Sequence, residues 1–584
     1  MAQAAVEPGT SAPAAAGLPG EREARNLLFA LTGVASLIYL YNALFLPGTL
    51  TFAPFTIQDD ARQFLAWMAR LDDPGALQGD LLASYWHDVC PFLYRAIYWT
   101  ANLLGLPPTL FARLLPIALL FLCAWLAWRV ALRLTRRPIA AFVAAAFVVS
   151  FLIHEDSLYS ATPRAFSTPL FLLFLDGLLR ERGLVMIPAL FLLGLIYPTT
   201  ALVGVTMLGL SRIGMRPWRI DLSKRSWLLA GIGGAAVLVA ILPFAAADGQ
   251  WGPTLTVSEA LQQPNLSTPQ GRSSIVGIGG NVDYMCSARM GLLPEIVPCW
   301  ATSVAVLPNF LLLVPLLLLA WRAVRSGRYG PGEEPGNLIH SWALVAAIAW
   351  WAVATLVAFK LHLPSRYTQR TLSVLEFLVI GQMLGMLLDR KLQERRHGSG
   401  RVALGGGIAL FLLACFLTPT PGLSAPADPE AVARIAAMPS GTVIGGVSDQ
   451  LDYLPALTGR PTLATIEHSI PYHKGYFGQL RERLEAGLMA VATPDPAVLE
   501  DYVRRYRVGV IAVDQALFEY RELPARWSTV VPDAVRTAQE TLAAGPSVLQ
   551  QRAAACTTHR GQLVLLDAAC LVRPRVASAD GRPI

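Results

Sequence analysis

Three short stretches of this chain carry side chains whose types and spacing suit group transfer. In "QDDARQF" two adjacent carboxylates, Asp59 and Asp60, precede Arg62. In "IHEDSLYSATPRAF" His154, Glu155 and Asp156 are followed by Arg164. In "KLHLPSRYTQR" Lys360, His362, Arg366 and Arg370 lie within one short segment with Tyr367. A carboxylate beside an acceptor hydroxyl serves as general base. Guanidinium groups take phosphate oxygens bidentately and stabilise charge developing on a leaving phosphate. Together the stretches predict transfer from a phosphate-activated donor, with Asp59 as base and Arg366, joined by Arg370, on the phosphate. A plainer role competes in each case. Asp is a favoured helix N-cap, and acids at the mouth of a helix hairpin are ordinary loop residues. Adjacent carboxylates point in different directions, so one caps while the other acts.

The elements that must position these residues are set by an apolar chain. Of 584 residues 54% are hydrophobic and only 15% charged, against about 25% charged in a soluble domain. A bilayer core of ~30 Å needs about 20 apolar residues per helix. Runs of that kind lie near 27–48, 109–132, 138–154, 163–179, 227–246, 303–321, 339–359, 371–388 and 403–420. The segment 184–212 is long for one span and is broken at Tyr197-Pro198. Two short helices there give about eleven spans and put every basic short loop on one side, as the positive-inside tendency requires. The N-terminus is then cytoplasmic and the C-terminus outside. The Ala-, Pro- and Gly-rich residues 1–26 are predicted to be a disordered cytoplasmic tail. The net charge of +7 belongs to the cytoplasmic loops, and no nucleic-acid motif is present.

This topology gathers the loops 49–108 and 247–302, the "HEDS" loop, the "KLHLPSR" turn and residues 425–584 on the outer face. Cations are scarce on that side by the same tendency, so four of them in one turn ask for an anionic partner. Loop 49–108 reads as amphipathic interfacial helices, with Trp86, Tyr94, Ile97, Tyr98 and Trp99 at headgroup depth. Residues 425–584 read as a soluble α/β domain, with "TVIGGV", "PTLATI" and "VGVIAVD" as strands. Gly445-Gly446 reads as a tight strand-end turn in preference to a phosphate loop, and "IEHSIPYHKGY", with His468 and His473, as a surface loop facing the membrane domain. Cys286 pairs naturally with Cys299 and Cys556 with Cys570; Cys123 and Cys415 are core residues, and Cys90 is left over.

The layout of an Asp motif in a large first outer loop, many spans and a C-terminal outer domain resembles the GT-C superfamily of integral-membrane glycosyltransferases. "DDAR" is similar to the Asp-Glu-Pro-Arg-like motif of protein O-mannosyltransferases and aminoarabinose transferases, with Asp60 for Glu and Ala61 for Pro. The resemblance implies a polyprenyl-phosphate-linked sugar as donor, a glycan, lipid or protein as acceptor, and Asp59 as base with Asp60 and Arg62 in support. It implies a second acid at Glu155 or Asp156, although "TPRAFSTP" departs from many relatives by placing Arg164 there. Arg366, Arg370, Arg62, Arg164 and Lys360 are the candidate phosphate ligands; His87, His154 and Tyr367 are further substrate contacts. Some relatives use a divalent cation, Mg2+ or Mn2+, for which Asp59, Glu155 and Asp156 offer oxygen ligands. The competing function is a transporter or flippase of a lipid-linked saccharide, which usually shows internal repeats and midplane charges. An Ala- and Arg-rich chain suits a bacterial inner membrane.

Overall fold

A computed structural model describes residues 20–573 apart from 47, 216–217, 221–222, 247–248, 300–302, 327–337 and 394–396. The chain opens with helix α1 (Glu21–Leu44). The predicted tail therefore ends earlier than residue 26: "EREARN" is already helical, with Glu21 and Glu23 in the first turn where the helix dipole favours them. Residues 1–19 lie outside the described part.

The first large loop begins with strand β1 (Ile57–Gln58) and folds into α2 (Asp59–Leu65), α3 (Leu81–Val89) and α4 (Phe92–Leu103), the last two broken at Pro91. Next come α5 (Pro108–Thr135), α6 (Pro138–His154), the single turn α7 (Asp156–Tyr159) and α8 (Ser167–Leu179). The ambiguous segment is two helices, α9 (Gly183–Ile196) and α10 (Pro198–Leu210), hinged at Tyr197. Pro198 sits at the first position of α10, where its missing N–H costs nothing. A hairpin of β2 (Ile213–Met215) and β3 (Trp218–Ile220) leads to α11 (Lys224–Ala246). The short α12 (Val257–Ala260) and α13 (Pro264–Ser267) lie in the second large loop. Then follow α14 (Val306–Ser326), α15 (Ile339–Leu356), the short α16 (Ser365–Gln369), α17 (Leu372–Gln393) and α18 (His397–Leu417). Six helices among the described residues are long and apolar enough to cross a membrane, and four shorter ones are apolar. The protein is an integral membrane protein.

One helix contact matters for the site. A Cβ on Gly381 or Gly385 of α17 would stand 2.6 Å from the Cα of Ala144 or Ala140 of α6. This small-xxx-small face lets the two backbones approach closely, the usual way helices associate in lipid. It fixes the start of α17, with Arg366 and Arg370 just before it, against the end of α6, where Glu155 follows. Near the C-terminal end of α8, Asp176 accepts from Arg129, Arg133 and Arg180.

After α18, β4 (Leu423–Ser424) pairs antiparallel with β1, Ile57 opposite Ser424 and Gln58 opposite Leu423. The C-terminal region builds a four-stranded sheet from β5 (Val443–Val447), β6 (Val508–Asp514), β7 (Thr557–His559) and β8 (Leu563–Asp567) in the order β5-β6-β8-β7. "PTLATI" is not a strand and makes only the bridge Ile444–Thr462. Gly445 and Gly446 lie inside β5: a Cβ on Gly446 would meet the Ala512 carbonyl at 2.0 Å. They are there for close strand approach and form neither a strand-end turn nor a phosphate loop. Both expected disulfides are present, Cys286–Cys299 and Cys556–Cys570. The C-terminal region is docked on the first loop, where Tyr85 stacks on Tyr476 with ring centres 3.6 Å apart and its hydroxyl meets His473 Nδ1 at 2.9 Å.

Candidate active site

A cavity of about 1030 Å3 lies between the first-loop helices, the hinge at Tyr197, the second large loop, the Arg366 turn and the C-terminal region. Its wall includes Asp59, Asp60, Glu155, Asp156, Arg164, Lys360, Arg366, Tyr367 and Arg370. Three stretches far apart in sequence thus share one chamber.

Asp59 reaches it because it is not spent on capping. The cap of α2 is Gln58, whose Oε1 accepts from the Ala61 amide at 3.2 Å. The Asp59 amide donates to the Gly422 carbonyl at 2.9 Å, and its carboxylate accepts from the Asp60 amide at 2.8 Å and from the Gln58 side chain. Burial, then the neighbouring charges of Asp60, Glu467 and Asp156, push its carboxyl up to about 7, against the opposing pull of Arg164. A carboxylate poised near 7 is well matched to taking a proton at neutral pH.

The other carboxylates are engaged. Arg164 donates to both Asp60 and Asp156, the latter at 3.0 Å, so one guanidinium ties the first loop to the second. Although burial opposes its ionisation, Asp156 is held below the usual carboxylate range by Arg164, Arg370 and Arg366. Glu155 is ion-paired with Arg370. Arg366 is different. It is 9% exposed, and among the described residues its one side-chain hydrogen-bond partner is Gln369 at 3.4 Å. Asp156 and Glu295 feel its charge without pairing with it, and a buried guanidinium left without an ion pair is costly unless an anion joins it. Tyr367 is buried, its hydroxyl donating to the Leu361 carbonyl at 3.0 Å, and Lys360 is exposed.

Three expected contacts are not in the cavity wall. Arg62 lies over the Tyr453 ring, 3.8 Å from its centre, and donates to Ser424 Oγ, so it clamps the motif to the chain after α18. His87 is taken up by Asp88 at 3.0 Å and Arg95 at 3.1 Å. His154 turns to the Ser150 carbonyl at 2.6 Å and Thr418 at 3.2 Å. In their place come residues the sequence reading passed over: Gln63, Arg272, Arg289, Glu295, Glu467 and Arg526. Glu467 is 3% exposed; it accepts from Gln63 Nε2 at 2.6 Å and from Arg272. The first part of the segment expected as a surface loop, residues 466–469, is therefore buried, with His468 fully enclosed, while Lys474 and Gly475 are exposed. Arg272 and Arg289 had a signal, since each is a cation in a loop expected on the outer face.

Of the three acids expected to offer oxygen ligands to a divalent cation, Glu155 is paired with Arg370 and Asp156 with Arg164. Among the described residues no group of three or more His, Cys, Asp or Glu side chains is arranged to hold a metal. The position between Asp60 and Asp156 belongs to the Arg164 guanidinium.

The apolar part of the cavity wall comprises Phe151, Leu195, Ile196, Pro198, Leu202, Ile241 and Phe244. It forms a groove beside the charged chamber, along the α9–α10 hinge and α11.

No protein-family profile and no curated protein sequence matches the chain. Solved structures do match. The Archaeoglobus fulgidus oligosaccharyltransferase, in complex with Zn and sulfate, superposes with a TM-score of 0.51 at 12% identity, over 87% of this chain and 70% of that one. ArnT from Cupriavidus metallidurans bound to undecaprenyl phosphate gives 0.47 at 13%, over 94% and 99%. The arabinofuranosyltransferase AftD from Mycobacteria gives 0.47 at 14%, over 93% and 40%. The chain has the fold of the GT-C membrane glycosyltransferases.

Proposed function

We propose that this protein is a glycosyltransferase that moves a sugar from a polyprenyl-phosphate-linked donor to an acceptor hydroxyl at the outer face of a bacterial inner membrane. In this reading about eleven helices span the bilayer, the N-terminus is cytoplasmic, and residues 425–584 form an outer domain. The observation that carries the reading is the sharing of one cavity by Asp59, a buried Arg366 lacking a carboxylate partner, and an apolar groove. The groove takes the first isoprene units, and Arg366 takes the phosphate. The acceptor oxygen attacks the anomeric carbon from the side opposite the phosphate as its proton passes to Asp59. The bond from that carbon to the phosphate oxygen breaks, its electron pair stays on the leaving polyprenyl phosphate, and the anomeric configuration inverts. Asp60, Arg164, Asp156, Glu155 and Arg370 hold these groups in register, and no step is assigned to a metal.

Proteoliposomes supplied with a panel of polyprenyl-phosphate sugars test this. Wild type is expected to transfer sugar, and Asp59→Asn to lose about 10²- to 10⁴-fold, the usual worth of a general base, with lipid-phosphate binding kept. Arg366→Ala is expected to lose lipid-phosphate binding. Transfer by Asp59→Asn at the wild-type rate would remove Asp59 from the mechanism.

A further inference from the structure

The cationic side of the cavity is completed from a second part of the chain. Residues 286–299 form a loop closed by the Cys286–Cys299 disulfide. Within it the amides of Arg289 and Met290 turn onto Ser287 Oγ at 3.1 and 3.3 Å. The far side is held by Asn309 of α14, which accepts from the amides of Ile296 and Val297 at 3.0 and 2.8 Å. The loop is then fastened to the turn that bears Arg366. The Ser365 amide donates to the Arg289 carbonyl at 3.2 Å, Ser365 Oγ to the Ala288 carbonyl at 2.7 Å, and Trp351 Nε1 to the Met290 carbonyl at 2.9 Å.

The backbone of Arg289 is thus pinned while its guanidinium is not. That group lines the cavity; among the described residues its one hydrogen bond is to the Arg272 carbonyl at 3.5 Å, and the carboxyl of Glu295, on the same loop, feels its charge without pairing with it. Four other cavity cations have a carboxylate: Arg164 has Asp60 and Asp156, Arg370 has Glu155, Arg272 has Glu467 and Arg526 has Asp452, while the exposed Lys360 and the His87-bound Arg95 have none among the described residues. Arg289 and Arg366 form no ion pair among the described residues. Two like charges held in one partly buried chamber repel, and an anion bearing two charges relieves both.

Resting on the reading above, we infer that Arg289 is a second phosphate-binding residue, and that with Arg366 it selects the dianionic phosphate monoester over the monoanionic diester. The donor sugar phosphate is a diester with one negative charge. When its bond to the anomeric carbon breaks, the departing polyprenyl phosphate becomes a monoester with two. Two guanidiniums whose backbones are fastened together through the disulfide-closed loop therefore bind the charge that develops during transfer more strongly than the charge of the bound donor, which is what accelerates a step.

The test uses the full chain in detergent and measures binding of undecaprenyl phosphate, its methyl ester and uncharged undecaprenol. Wild type is expected to bind the monoester tightest, the methyl ester less and the alcohol least. Arg289→Gln is expected to weaken monoester binding about ten- to a hundredfold, as loss of a charge-assisted hydrogen bond does, and to leave the alcohol unchanged. Arg289→Lys should fall between, the double variant Cys286→Ser/Cys299→Ser should follow Arg289→Gln, and the exposed Arg504→Gln should match wild type. Unchanged monoester binding by Arg289→Gln, or equal loss for the alcohol and the monoester, overturns this inference alone. A wild type that binds monoester and alcohol equally overturns the proposed function, and this inference with it.

Discussion

The amide of Asp59 donates to the carbonyl of Gly422 at 2.9 Å, so the candidate base is held by chain that lies after the last long apolar helix. Gly422 has φ +68, and a Cβ there would stand 2.5 Å from Asp59 Oδ1. Gly422→Ala therefore meets both backbone strain and a direct clash with the carboxylate. The strain alone costs about 1–2 kcal/mol. Sugar transfer is expected to fall about tenfold or more while the folded yield, read by size-exclusion chromatography, stays largely intact. Equal loss of yield and rate would make Gly422 a folding residue only.

The raised Asp59 carboxyl sets a pH dependence. Transfer needs the ionised form, so the rate should climb as pH rises through about 7 and fall away below it. Burial is the first cause of the shift and cannot be removed simply, but Asp60 is the next. Asp60→Asn removes a like charge and is expected to move the acidic limb of kcat/KM to lower pH by about one unit. A limb that stays in place would assign it to another group.

The same shift has a stability consequence of opposite sign. A carboxyl with a raised folded-state pKa favours the protonated fold, so its stabilising contribution is complete below the unfolded value of about 3.9 and is lost as pH rises through about 7. Asp59→Asn carries no such penalty. It is expected to be more stable than wild type at about pH 8, by about 2 kcal/mol, and to lose that advantage near pH 4. Thermal melting of the purified protein at both values checks this, and a higher Tm together with lost transfer is the signature of a site strained for function.

Much of this was legible in the sequence, for identifiable reasons. The long helices are legible because unbroken apolar runs of their length have few other uses, and the α9–α10 break because Pro198 suits a first helical position. Asp59, Arg164 and Arg366 stand out because charge is rare in such a chain. Pairings are another matter. Glu155 and Arg370 are 215 residues apart, and nothing local joins them; the meeting depends on the close approach of α6 and α17. Arg62, only three residues from Asp59, was read as its partner, but the Tyr453 ring and Ser424 capture it. Glu467 was missed because a loop of mixed polarity looks solvated until Gln63 and Arg272 cover it. Strand β8, "LVLLD", lacked the β-branched bias that marked β6.

Arg164 should be a structural keystone as well as a tuning group. Its side chain is 13% exposed and serves two carboxylates that are 28% and 41% exposed. Breaking a buried pair costs about 3–5 kcal/mol; with this much solvent at the acids, Arg164→Gln is expected to cost about 2 kcal/mol. Removing the cation also takes away the pull that lowers the Asp59 carboxyl. The acidic limb should therefore move to higher pH, opposite to Asp60→Asn. Matching shifts in the same direction would contradict an electrostatic origin.

Glu155→Gln offers a gain that a merely disruptive change would not. It removes the carboxylate paired with Arg370 and leaves that guanidinium, 6% exposed, beside Arg366 with no ion pair among the described residues and only the unpaired influence of Asp156. Two consequences follow from the charge. The free fold is destabilised, and the cavity becomes more hospitable to a dianion. Binding of undecaprenyl phosphate is expected to tighten about three- to tenfold, while turnover slows because the leaving lipid phosphate departs more slowly. A binding titration and a single-turnover measurement separate the two: the first round should run near the wild-type rate and later rounds should lag. Weaker binding with a slow first round would instead place Glu155 in the chemistry itself, as a second acid beside Asp59.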